Sequence, residues 1–169
     1  MIAADQHLVL VGLMGVGKST VARLLGLRLG RAVVDSDAVI EAATGRTVRE
    51  IFEADGEEAF RTLETAALVD ALASPEPLVI AAAGGVVLRD ENRAALRASG
   101  AKVVWLSADA ATLVERVRGG EHRPALDGDP AGTLRRMQQA REPLYREVAD
   151  VIVSADGRSV SDVVEAILR

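Results

Sequence analysis

The chain has 169 residues, no cysteine and a formal net charge of −5, with 49% hydrophobic and 27% charged residues. That length suits one domain with a proper core, and the lack of cysteine excludes disulfides and thiol chemistry. No run of about 18 apolar residues occurs, so no membrane span is expected; the acidic balance, with 2% aromatics, argues against a general nucleic-acid binder. The stretch Met1-Ile-Ala-Ala-Asp-Gln-His lacks a basic region followed by an apolar run, so no secretory signal and a cytoplasmic location are expected.

Apolar runs and helical patterns then alternate along the chain. Residues 8–11 read as a first strand, Leu-Val-Leu-Val, and run directly into Gly12. Residues 12–19, Gly-Leu-Met-Gly-Val-Gly-Lys-Ser, fit G-x-x-x-x-G-K-[ST] at each fixed position. In such a loop glycines let successive N–H groups turn inward as a nest for phosphate oxygens. The backbone of Gly15, Val16, Gly17 and Thr20 would line that nest, with Lys18 as a point charge on the β/γ-phosphates and Ser19 as a hydroxyl ligand for Mg²⁺. Residues 18–29 read as a helix whose positive end adds to the phosphate field.

A short second strand, 32–34, ends in Asp35-Ser36-Asp37. Helical patterns follow at 38–43, 48–52 and 57–73, broken at Thr44-Gly45-Arg46 and Asp55-Gly56. Strand three spans 78–82 and ends at Gly84-Gly85. A helix at 90–98, strand four at 102–106 and a helix at 109–117 lead to an irregular stretch, 118–130. A longer helix at 131–148, strand five at 150–153 and a closing helix at 161–168, capped by Ser159 or Ser161, complete the chain. Five apolar strands separated by helices predict a single α/β domain over 1–169. The expected architecture is a five-stranded parallel sheet with helices on both faces. Right-handed crossovers place the strands' C-terminal ends on one edge, where such sheets bind ligands.

Several polar residues are positioned for chemistry at that edge. Asp35 and Asp37, two apart in an extended segment, would point the same way; one could serve a magnesium shell while the other orients a hydroxyl. The alternative is that Asp37 caps the next helix. Gly84-Gly85 can expose backbone donors or form a simple turn. Arg61 and Arg141 lie on predicted helices, where a solvated role is the commoner one. Arg116 lies just before the irregular stretch and Arg123 within it, and residues 113–126 have the makings of a mobile lid.

Together these features resemble the shikimate kinase family. The likeness rests on the phosphate-binding loop, Asp35-Ser36-Asp37, and Ile51-Phe52…Gly56-Glu57…Phe60-Arg61…Glu64. It extends to Arg123-Pro124 and Arg141-Glu-Pro143-Leu144-Tyr145. The first of the family's usual three glycines after strand three is Ala83 here. The resemblance implies a P-loop kinase fold of the nucleoside-monophosphate-kinase type, with a substrate segment near 35–64. It implies ATP- and Mg²⁺-dependent phosphorylation of the 3-hydroxyl of shikimate. It further implies that Lys18 and the loop amides hold phosphates, and that Ser19 and Asp35 serve the metal. Asp37 would orient and deprotonate the hydroxyl, Arg61 and Arg141 would pair with the shikimate carboxylate, and Gly84 and Gly85 would fix its hydroxyls. Arg116 would stack on adenine, and Arg123 would close over the phosphoryl group. A monomer acting on shikimate and ATP, without nucleic acid or membrane, is the expected partnership. Another small-molecule kinase, for a sugar acid or a nucleotide, and a non-catalytic nucleotide-binding regulator are the alternatives.

Overall fold

The structure, a computed structural model, describes residues 1–118, 126 and 128–169. Five strands, β1 (Leu8–Val11), β2 (Val33–Asp35), β3 (Val79–Ala81), β4 (Lys102–Ser107) and β5 (Val151–Ser154), form one sheet in the order β2-β3-β1-β4-β5. Every pairing is parallel, with Val9 opposite Ile80 on one side and Val103 on the other. Buried on both sides, the central strands carry side chains that are almost all apolar. Leu8, Val9, Leu10, Val11, Val79 and Ile80 are fully buried.

The helices are α1 (Lys18–Leu29), α2 (Ser36–Thr44), α3 (Val48–Asp55), α4 (Glu57–Leu72), α5 (Asp90–Ala98), α6 (Ala110–Arg118), α7 (Pro130–Val148) and α8 (Val160–Leu168). Right-handed crossovers require the connection leftward from β1 to β2 and those rightward from β2 to β5 to use opposite faces. Accordingly α1 packs against α8, while α5 packs against α4 and α7. Strand order reverses beside β1, so the loop after β1 opens into the crevice where open α/β sheets take ligands.

Helices α2, α3 and α4 share a second, smaller core. Ile40, Ile51, Phe60 and Ala67 are buried there, with the Phe52 and Phe60 rings 4.8 Å apart. The segment that follows β2 therefore has packing of its own beside the main sheet.

Several boundaries differ from the sequence expectation by one to three residues. Helix α2 begins at Ser36, two residues early, because Asp35 ends β2 and also caps the helix, accepting from the Asp37 and Ala38 N–H groups at 3.1 and 3.3 Å. Asp37 therefore sits in the first helical turn, not in an extended segment, and the cap is its neighbour. Ser159 is the cap of α8, in a reciprocal capping box with Asp162. A single 3₁₀ turn, Val86–Leu88, follows the glycines after β3.

Candidate active site

The loop between β1 and α1 rests directly on the sheet. Gly12 has φ 147°, and a Cβ there would lie 2.5 Å from the Leu106 carbonyl oxygen of β4, so glycine alone fits. Lys18 curls over the loop, its Nζ donating to the carbonyls of Gly12 at 2.7 Å and Leu13 at 3.1 Å. Arg116 of α6 donates through Nη1 to the Val16 carbonyl at 2.7 Å, placing its guanidinium on the phosphate loop. Gly15, Gly17, Lys18, Ser19, Thr20 and Arg116 line a cavity of about 460 Å³.

Asp35 divides its two oxygens between two tasks. Oδ1 caps α2, and Oδ2 accepts a hydrogen bond from the Ser19 hydroxyl of α1. The hydroxyl of the loop motif and the carboxylate at the end of β2 are thus brought into contact.

A second cavity, of about 470 Å³, opens between α2, α3, α4 and α7. Arg61, Glu64, Gly84, Gly85 and Arg141 line it, with Phe52 as an apolar wall. Both arginines are buried, Arg61 at 8% and Arg141 at 6% exposure, where a lone helical arginine would more commonly be solvated. Arg61 is held by Glu64 at 2.9 Å and Glu57 at 3.2 Å. Arg141 forms no salt bridge among the described residues, and a buried cation in that position is suited to an anionic ligand.

The two cavities share one wall. Met14, Asp37, Glu41, Ala83 and Gly84 line both, so Asp37 stands where the phosphate side meets the arginine side. Ala83, in place of a third glycine, is accommodated at no backbone cost, since no non-glycine residue among those described has positive φ.

The turn after β3 is fixed from several directions. Val86 N–H donates to the Ala83 carbonyl and Leu88 N–H to the Gly85 carbonyl, both at 3.0 Å. From α5, Asn92 Nδ2 donates to the Val86 carbonyl at 3.0 Å and Arg93 to that of Val87 at 2.7 Å. Gly85 has no room for a side chain: a Cβ would come within 2.0 Å of Arg61 Nη1. That obstacle is the end of a flexible side chain, so Gly85→Ala is expected to fold and to displace the Arg61 guanidinium. The measurable result is a circular-dichroism melt close to the parent, with affinity for the ligand of this cavity lowered by roughly 10-fold or more.

Glu64 follows Arg61 on α4 and borders the same cavity. It is 1% exposed, and burial pushes its carboxyl up to about 7, opposed by Arg61 and reinforced by Asp37. Its place three residues after Arg61 on one helix face is a signal the sequence does contain. Glu41, one turn after Asp37 on α2, also borders both cavities.

Comparison with known proteins agrees with this arrangement. A family model described as shikimate kinase matches residues 14–169. A shikimate kinase of Symbiobacterium thermophilum is 52% identical over 166 residues, covering 96% of this chain and 94% of the relative. One from Pseudomonas entomophila is 45% identical over 165 residues, covering 97% and 95% of the two chains. A solved shikimate kinase from Acinetobacter baumannii, in complex with shikimate, superposes with a TM-score of 0.92 at 38% identity, covering 96% of this chain and 90% of that one. The chain belongs to the shikimate kinase family. Its activity is that of shikimate kinases, ATP-dependent phosphorylation of a hydroxyl group with Mg²⁺.

The donor set fits the ion that shikimate kinases use. Among the described residues no group of three or more His, Cys, Asp or Glu could cage a metal. The Ser19–Asp35 contact offers two oxygens, which suits Mg²⁺, an ion that keeps several waters and shares nucleotide phosphates. No helix among the described residues is long and apolar enough to cross a membrane. Arg123, the arginine expected over the phosphoryl group, lies outside the described residues, as does most of 119–126.

Because Glu64 has a carboxyl raised from 4.5 to about 7, its contribution to folding is present below the unfolded value and lost as pH rises through that window. The stability difference between the parent and Glu64→Gln is therefore expected to shift against the parent between about pH 4.5 and 7, then level off. Urea midpoints for both proteins across that range provide the test, and a constant difference would mean that Glu64 does not titrate there.

Proposed function

We propose that the chain transfers the γ-phosphoryl group of ATP to the 3-hydroxyl of shikimate, acting as a cytoplasmic monomer. The observation that carries this reading is the shared wall. Asp37 borders a phosphate-binding loop on one side and two buried arginines on the other.

In this reading Lys18 exchanges the Gly12 and Leu13 carbonyls for phosphate oxygens, and the amides of Gly15, Val16, Gly17 and Thr20 hold the rest. Ser19 and Asp35 would hold Mg²⁺, which when bound would neutralise developing phosphate charge. Arg61 and Arg141 grip the substrate carboxylate bidentately. The backbone of Gly84 and Gly85 adds fixed donors that set the ring's rotation. Asp37 then accepts the proton of the attacking hydroxyl as the O–P bond forms and ADP leaves. Arg116 borders the nucleotide, on the side where adenine would stack, and Arg123 closes over the transferring group.

A coupled ADP-release assay with shikimate, gluconate and a nucleoside monophosphate tests the acceptor. Release stimulated by shikimate alone, with ³¹P detection of a single phosphomonoester, is the expected result. Equal or greater stimulation by either other acceptor would overturn the assignment.

A further inference from the structure

We infer that Tyr145 is a positioning residue for substrate binding, acting through the Gly84–Gly85 peptide. The inference rests on the reading of the arginine-lined cavity as the shikimate site. Tyr145 does not line that cavity, whereas Gly84 and Gly85 do. Its side chain is 1% exposed, its ring is stacked 5.8 Å from that of Trp105 on β4, and its hydroxyl donates to the Gly84 carbonyl. It lies four residues after Arg141 on α7, one turn along the same face. A single helix face thus carries a guanidinium into the cavity and a hydroxyl onto the backbone that borders it.

The carbonyl that Tyr145 holds belongs to the same peptide unit as the Gly85 N–H. That N–H has no hydrogen-bond partner among the described residues, and the peptide is trans, so its N–H leaves on the side opposite Tyr145. Fixing the oxygen fixes the direction of the donor, and hydrogen bonding to the oxygen also polarises the N–H. Without the hydroxyl, two successive glycines offer little steric resistance to rotation of this peptide. Burial raises the hydroxyl to about 12, with the Arg141 guanidinium opposing through its charge and hydrogen bonding, so the group remains a neutral donor wherever the enzyme works. The Gly85 amide shift in Tyr145→Phe separates its action on the peptide from its contact with Arg141.

Tyr145→Phe keeps the ring, its volume and its stacking while deleting the donor. Shikimate KM is expected to rise roughly 2- to 10-fold, the net worth of about one hydrogen bond whose donor is no longer held in direction. Turnover and ATP KM should stay within about twofold, a split that a general loss of packing would not produce. In glycine-¹⁵N spectra of this chain, with 15 glycines, the Gly85 amide, identified by its loss in Gly85→Ala, should shift upfield in the Phe variant. Should the variant fold poorly, the chain's single tyrosine allows 3-fluorotyrosine labelling. Its one ¹⁹F resonance should move on adding shikimate and stay in place on adding ATP alone. An unchanged shikimate KM, equal changes in both KM values, or a fluorine signal indifferent to shikimate would overturn the inference. A parent enzyme that ignores shikimate would instead overturn the functional reading beneath it.

Discussion

Asp37→Asn is expected to lower turnover by roughly 10² to 10⁴, the range for a positioned acid–base group, while ATP affinity stays near that of the parent. The amide has nearly the shape of the carboxylate, so the wall between the two cavities survives and only proton acceptance is removed. Isothermal titration with a non-hydrolysable ATP analogue and single-turnover transfer separate the two effects. A variant that turns over within a few-fold of the parent would remove Asp37 from the chemistry.

Asp35→Asn makes an informative companion because its neighbour does different work. Asp35 caps α2 and touches Ser19. Asparagine caps a helix about as well as aspartate, so α2 should be nearly unaffected, while losing the charge should raise the Mg²⁺ concentration needed for half-maximal rate. Saturating Mg²⁺ should restore much of the rate to Asp35→Asn and none to Asp37→Asn. The two carboxylates are two residues apart in sequence, yet one belongs to a strand end and the other to a helical turn.

That distinction shows where the sequence was legible and where it was not. The phosphate loop could be read directly because glycine, lysine and serine at fixed spacing have few other uses. Strand number followed from the alternation of apolar runs and helical patterns. The start of α2 was misplaced because an aspartate that ends a strand can also capture the next helix's N–H groups, a competition that propensity does not weigh. The burial of Arg61 and Arg141 was hidden for another reason. Each is exposed on an isolated helix and becomes interior only when α4 and α7 close around the same cavity. Glu64, at i+3, marked Arg61 as partnered, but no local pattern could join Tyr145 to Gly84, 61 residues away. The second core under α2, α3 and α4 was likewise absent from any single helix's periodicity.

The largest effect on substrate recognition is expected at Arg141. A buried cation without a salt bridge among the described residues has given up hydration with only partial compensation from Glu64, whose carboxyl it helps to hold down, a cost that favours binding an anion there. Replacing it by methionine removes that cost, so the free enzyme should become more heat-stable or stay the same. The same change deletes the fork that holds a carboxylate, and shikimate kcat/KM should fall by about 10² to 10³, as for truncating one partner of a buried charge pair. Arg141→Lys separates charge from geometry: the ammonium keeps the sign but cannot make two parallel N–H···O bonds. Its KM should rise by about 10-fold or more, with ATP KM unchanged. Thermal melts in the presence of shikimate complete the comparison, because ligand that binds only the folded state raises the midpoint in proportion to affinity. The parent should gain several degrees from saturating shikimate, Arg141→Lys less, and Arg141→Met none. A methionine variant that loses stability and keeps its shikimate KM would identify Arg141 as a packing residue and move the carboxylate site elsewhere. Lower shikimate affinity together with equal or higher stability has a different explanation. The folded chain then carries an interior positive charge that Glu64 offsets only in part, leaving the substrate carboxylate to complete the neutralisation.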